Sequence, residues 1–321
     1  MTSMRRFMAS PTRNTKALCL AGAALLAALA FFSLFCGKYP LTLSGLLGGD
    51  AMQWRVFWTL RFSRTAAGVI GGFALGVAGF VYQTVFRNPL ASPDVIGVSS
   101  GASAGAAAGI LFLSGAAAVT AAAFAGALAA VCLALALSSL DRSGRRSTIV
   151  LAGIAVHSLA QTALMALKLT ADPERELASI EYWIMGSLNG ISGYAVGGNL
   201  ALCAVCAAAL FALHRQILLL SAEEGEAKLL GVSVGRLRLA VLGAATLAVA
   251  CVVSLSGLIS FIGLLAPHGA RLLTRRNGPG TMLLGGLLAA CCWWGRISWP
   301  APRPPPSCRS ASLPACSARR F

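Results

Sequence analysis

Four groups of residues have types and spacings that point to chemistry. Ser221-Ala222-Glu223-Glu224 has the form of a capping box. In that motif the serine caps a helix start and the glutamate three residues on reaches back to it. His157 and Gln161 stand four apart inside an apolar run, so they share one helix face. Polar groups in such a run face a cavity or a neighbouring helix. Gly97-Val98-Ser99-Ser100-Gly101 matches the G-x-S-x-G form of a serine nucleophile, for which His157 would be the base. That pattern opens an apolar helix here rather than following a strand, in a chain where Gly and Ser are abundant. Cys203 and Cys206 have the spacing of a redox or metal pair. No further Cys or His in their run completes a ligand set, so they read as small hydrophobes on a helix.

The elements that carry these residues are set by composition. The chain has 321 residues, of which 57% are apolar and 11% charged, with a mean hydropathy of +0.76. A soluble surface of this size needs far more charge. Disorder is excluded for the opposite reason. The composition is that of an all-α polytopic membrane protein, whose solvent is largely membrane lipid. Uncharged runs long enough to cross a bilayer are 17–36, 65–86, 95–113, 116–140, 147–167 and 191–213. The run 239–270 is too long for one span, and a span followed by a tight return near Ser256-Gly257 fits it. Glycines four apart (Gly68, Gly72, Gly76 and Gly101, Gly105, Gly109) let helix backbones approach closely.

The net charge of +16 sits in short segments between the apolar runs. No basic stripe with interleaved aromatics is present, so nucleic acid is not the partner. With residues 1–16 as a cytoplasmic tail and the first span retained, alternation places 15 basic residues inside and six outside. That asymmetry fits an N-terminus in the cytoplasm. Residues 214–238 form a long inside segment. A short helix capped by Ser221 and stopped at Gly231 would project from it. Its three acids, Glu223, Glu224 and Glu226, favour a protein partner over an anionic lipid surface. No GxxxxGK[ST] loop is present, so ATP would be hydrolysed elsewhere. Ion-coupled transport would call for acids within the spans, and the assigned runs contain none.

The order of motifs resembles the FecCD-type permeases of ATP-binding-cassette importers for iron-siderophores, haem and vitamin B12. The matching pieces are Leu60-Arg61-Phe62-Ser63-Arg64; Gln83 with Arg87-Asn88-Pro89-Leu90-Ala91-Ser92-Pro93; Gly97 to Ala102; and Tyr182 to Ser187. Ala227 to Gly231, and Gly257 to Leu264 with Pro267, His268 and Arg271, complete the set. The resemblance implies a ten-helix permease subunit in a bacterial cytoplasmic membrane, without enzymatic activity or cofactor of its own. It implies a second permease subunit, a cytoplasmic ATPase pair and an extracytoplasmic substrate-binding protein. Ser221, Glu223, Glu224, Ala227, Leu230, Gly231 and Val232 match the segment that enters the ATPase groove. Arg61 and Arg64 match the outside arginines that pair with the binding protein, and interfacial anchoring is their other reading. His157 and Gln161 fall on the helix that the family places at the path, where helix packing explains them equally well.

The C-terminal end departs from this pattern. Residues 293–321 are dense in Pro, Ser and Arg and contain no acid. The run 281–294 is short for a span. A reading-frame change near residues 292–296 is expected, with a native disordered basic tail as the alternative. The permease domain is then 17–292, the last one or two helices are lost or disrupted, and transport is impaired.

Overall fold

In the computed structural model the described residues are 13–35, 39, 41–140, 146–187, 195–221, 233–259 and 261–298. All regular structure among them is helical, and the fold is an all-α bundle. Helix α1 is Arg13–Phe35, and the short α2 is Leu43–Leu47. Helix α3, Ala51–Val85, is continuous over 35 residues and widens into a π turn at Phe57–Phe62. A 3₁₀ turn at Pro93–Ile96 leads into α4, Val98–Phe112. Then come α5 (Ala116–Leu140), α6 (Arg146–Thr170), α7 (Glu176–Met185) and α8 (Ala195–Ala212). The chain continues through α9 (His214–Leu219), α10 (Val234–Ser256), α11 (Ile262–Thr274) and α12 (Pro279–Ser298). Among the described residues, five helices (within α1, α3, α5, α6 and α10) are long and apolar enough to cross a membrane.

Helix α3 is the axis of the bundle. Its most apolar window is 78% buried, whereas that of α1 is 11% buried. Helix α1 thus keeps most of its apolar surface outside the bundle. Around α3 pack α1, α8, α10, α11 and α12. Phe80, Val81, Tyr82 and Val85 are all but sealed, and the Tyr82 hydroxyl meets the Thr246 hydroxyl of α10 at 2.6 Å. Small residues permit this closeness. A methyl group placed on Gly72 would come within 2.6 Å of Ala290 Cα, and one on Gly76 within 2.7 Å of Ala289 Cβ, both on α12. The α4–α5 pair is built alike: a methyl group on Gly126 would lie 2.9 Å from Gly105 Cα.

Three breaks differ from, or sharpen, the sequence reading. The run expected as one span from residue 95 starts its helix only at Val98. Gly97, at φ 87°, ends the preceding 3₁₀ turn in the left-handed region that glycine alone adopts freely. The long run 239–270 does divide at Gly257, whose φ is 71°. The helix that carries the last apolar run is longer than that run. Helix α12 begins at Pro279, a residue suited to a first helical turn, and continues to Ser298 across the junction drawn at 292/293. Trp293 is 1% exposed and lies against Gly71, so the helix is packed at that point. The sequence reading also gave no helix to Glu176–Met185. The Asp172 side chain accepts the N–H groups of Glu174 and Arg175 just before it, which organises its start.

Candidate functional site

The polar side chains of the bundle gather at three places. The first is the end of α3 near Val85. Arg271, on α11, reaches across to α3. Its Nη1 donates to Gln83 Oε1, and its Nη2 donates to Thr84 Oγ1 at 3.0 Å and to the Phe80 carbonyl at 3.3 Å. Its Nε donates to Asn277 Oδ1 at 2.8 Å, in the turn between α11 and α12. The guanidinium also stands 4.5 Å from the Phe80 ring centroid, a cation–π distance. Gln83 then donates its amide to the Leu264 carbonyl at 3.0 Å. All these acceptors are neutral, and among the described residues no carboxylate pairs with Arg271. One planar fork thus joins α3, α11 and the turn into α12, a task a point-like ammonium performs poorly.

The second place is a backbone junction between α7 and α10. The Ser187 N–H donates to the Ser256 carbonyl at 2.7 Å. Gly186 and Gly257, both at positive φ, meet there face to face. A methyl group on Gly257 would lie 2.8 Å from Gly186 Cα. The ion pair between Lys168 Nζ and Glu181, at 2.7 Å, holds α7 to α6 nearby.

The third place is the 3₁₀ turn beside α6. Ser99 Oγ donates to Asp94 Oδ1. The hydroxyl proton is therefore committed to a carboxylate rather than to His157, and the Nδ1 of His157 is buried with no partner among the described residues. The nucleophile reading of Ser99 and His157 fails on this geometry. Gly97 instead packs against the His157 backbone, 3.2 Å from a methyl position to its nitrogen. Gln161 is half-buried one turn further along. The sequence reading passed over Asp94, which stands one residue before the run assigned as a span. It also quoted Gln83 and Arg271 without joining them, since they are 188 residues apart.

Other expected residues are placed as follows. Arg61 lies in the π turn, and one of its terminal nitrogens donates to the Tyr39 carbonyl at 3.2 Å. Arg64, half-buried, opens the α-helical stretch that follows. Ser221 lies just past α9, where its hydroxyl donates to the Leu218 carbonyl at 2.6 Å. The residues it was to cap, with Glu223, Glu224, Ala227, Leu230, Gly231 and Val232, lie outside the described residues. Their surroundings are described on both sides. Ile217, Leu218 and Leu220 of and beside α9 are buried in the main core, and α10 begins at Val234. Cys203 and Cys206 are buried, and the Cys203 thiol points at the Ala248 carbonyl at 3.9 Å.

The family described as the FecCD transport family matches residues 25–300. A cobalamin import system permease protein of Halobacterium salinarum is 38% identical over 216 residues, covering 67% of this chain and 58% of that protein. The chain thus aligns with less than two thirds of the length of that relative. A molybdate import system permease protein of Haemophilus influenzae is 32% identical and covers 81% of this chain and 82% of its own. A hemin transport system permease protein of Yersinia pestis is 34% identical over 84% of this chain and 82% of its own. Among solved structures, a metal-chelate type ABC transporter in an inward-facing conformation superposes with a TM-score of 0.78 at 28% identity. It covers 88% of this chain and 90% of that one.

Proposed function

The chain belongs to the FecCD transport family, and from that premise we propose that it is the membrane permease subunit of an ATP-driven importer of metal chelates. It pairs with a second permease subunit. A cytoplasmic ATPase pair drives it and an extracytoplasmic binding protein supplies it. It lies in the cytoplasmic membrane with its N-terminus inside. Chemistry in the sense of bond making is absent from its task. The subunit converts a push from below into a change of path.

What supports this reading is that α9 and α10, which flank residues 222–232 in the chain, are both packed in the bundle. On one side, Ile217 and Leu218 of α9 are anchored in the core. On the other side α10, 23 residues long, forms a rod of about 35 Å. That rod packs along α3, α5 and α8 and ends at the Gly186–Gly257 junction. A displacement of the start of α10 is therefore carried along the helix to α7. Packed helices move as units in this way because their interfaces have few alternative arrangements. The Arg271 fork keeps α3, α11 and the turn into α12 together while this happens. The docking half of the proposal rests on charge: Glu223 and Glu224 complement a basic groove. Arg61 and Arg64 take the corresponding place for the binding protein, and the His157–Gln161 face lines the path.

The test is co-purification. Glu223→Lys with Glu224→Lys reverses the charge of the docking helix, and the ATPase is expected to be lost from the purified complex. Undiminished recovery of the ATPase would remove the docking assignment. Reconstituted with its partners, the unaltered subunit should take up cyanocobalamin, hemin or ferrichrome only when ATP is present. Uptake by the subunit alone would refute the reading as a whole.

A further inference from the structure

Helix α3 is too long for the membrane it crosses. Its 35 residues make a rod of about 52 Å, against a hydrocarbon layer of about 30 Å. Tilt does not absorb the difference. At about 40°, the upper end of the observed range, the rod still covers about 40 Å along the membrane normal. One end must pass through the headgroup layer. The end without protein cover is the Ala51 end. From Thr65 onward the helix is mostly sealed in the bundle, whereas Val56 alone is buried in the turns before it.

That overhanging end carries an aromatic ladder. Trp54, Trp58 and Phe62 are spaced four apart and are 43%, 48% and 45% exposed. The Trp54 and Trp58 rings are stacked with centroids 6.2 Å apart, and Trp58 and Phe62 follow at 4.8 Å. An α-helix over-rotates by about 40° for every four residues, which would swing such a column off its line. The π turn at Phe57–Phe62 under-rotates and brings Phe62 back over Trp58. The bulge thus serves to keep the column straight. The polar end of Trp54 is settled within the protein, since its Nε1 donates to the Leu46 carbonyl of α2 at 2.9 Å. Leu47, 83% exposed, sits beside that carbonyl. Arg55 and Arg61 lie on the same turns.

We propose that this ladder is a lipid-binding surface, gripping the phospholipid headgroup layer at the Ala51 end of α3. Three features select lipid over another occupant. The ladder is the direct continuation of the membrane span. Its rings are amphipathic or apolar, which is what the interface between headgroups and acyl chains accommodates and what a water-facing surface avoids. Arg55, on the same turns, offers a cation at the depth of the lipid phosphates. The consequence is a fixed height for α3: the axis of the bundle is held against vertical slip while other helices shift around it. This goes beyond the transport reading and requires only that the chain spans a bilayer.

The experiment uses tryptophan fluorescence of the full chain in phosphatidylcholine vesicles. One set of lipids is brominated near the glycerol end of the acyl chain and another near the methyl end. Two of the six tryptophans of the chain belong to the ladder. The unaltered protein should be quenched more strongly by the shallow bromine. In Trp54→Leu/Trp58→Leu that excess should fall to about half or less. Trp58→Phe, which keeps an aromatic ring in the stack, should lose part of it without a change in melting temperature. An excess that survives both substitutions overturns the proposal. So does a ladder quenched by aqueous iodide and untouched by bromolipid, because the rings would then face water or a soluble protein.

Discussion

Arg271 shows how much of the bundle can depend on one side chain. Its fork holds acceptors on α3 and on the turn before α12, and its removal leaves the Gln83 side-chain oxygen without that donor in a part-buried site. Hydrogen bonds to a charged group contribute about 1.5–3 kcal/mol each, so Arg271→Gln should destabilise the subunit by at least about 2 kcal/mol. Arg271→Lys keeps the charge and loses the fork, and should cost nearly as much. Thermal unfolding in detergent measures both, and a melting temperature unchanged by either would show the network to be incidental. Asp50 is a milder case. Its Oδ1 accepts from the Met52 N–H at 2.9 Å and the Gln53 N–H at 3.4 Å, and these bonds, that to Met52 foremost, hold its carboxyl below the usual range. A depressed carboxylate stabilises the fold above its unfolded pKa, and that contribution is lost as pH falls through the folded one. The first turn of α3 should therefore fray on acidification. Asp50→Asn, which caps without titrating, should abolish the pH response of the amide protection factors at Met52 and Gln53.

Elements in this chain meet through glycine, and the contacts differ in what they tolerate. At Gly72 and Gly126 the helices touch backbone to backbone, and a larger residue must drive them apart. Gly72→Val or Gly126→Val should cost about 1–3 kcal/mol, read as a fall in melting temperature in detergent. Gly186 and Gly257 carry a second constraint, since each also adopts positive φ. Alanine there combines backbone strain with a clash, and each substitution should cost more than the same change at Gly197, where a methyl group meets nothing within 4 Å. If the proposed function holds, Gly257→Ala should also lower the cargo moved per ATP hydrolysed, because the junction is where α10 delivers its motion. Equal coupling in that variant would separate the junction from the transport path.

On the scale of the whole molecule, the sequence by itself determined the class and most of the helices. Long uncharged runs with few acids leave a chain no soluble option, and backbone groups in lipid leave it no structure but helix or closed barrel. The division of the run 239–270 was legible at Ser256-Gly257, because glycine marks a position where the chain turns. The motifs around Arg61, Gln83, Gly97, Tyr182 and Arg271 were legible as a family pattern in the same way. Their grouping was not. Gln83 and Arg271, or Gly186 and Gly257, are brought together by packing, and no local preference encodes which buried polar group answers which. Helix α12 passes the expected junction for a related reason: Trp293 has a groove at Gly71 to fill, and a residue count along the chain does not reveal it. The Trp54–Trp58–Phe62 column was likewise present in the spacing but unread, since four-residue steps on a regular α-helix drift around the axis and the π turn at Phe57–Phe62 was not foreseen. Periodicity and composition act locally and survive in the string of residues. Contacts between distant helices are chosen by shape and by the need to satisfy buried dipoles, and only the folded bundle decides them.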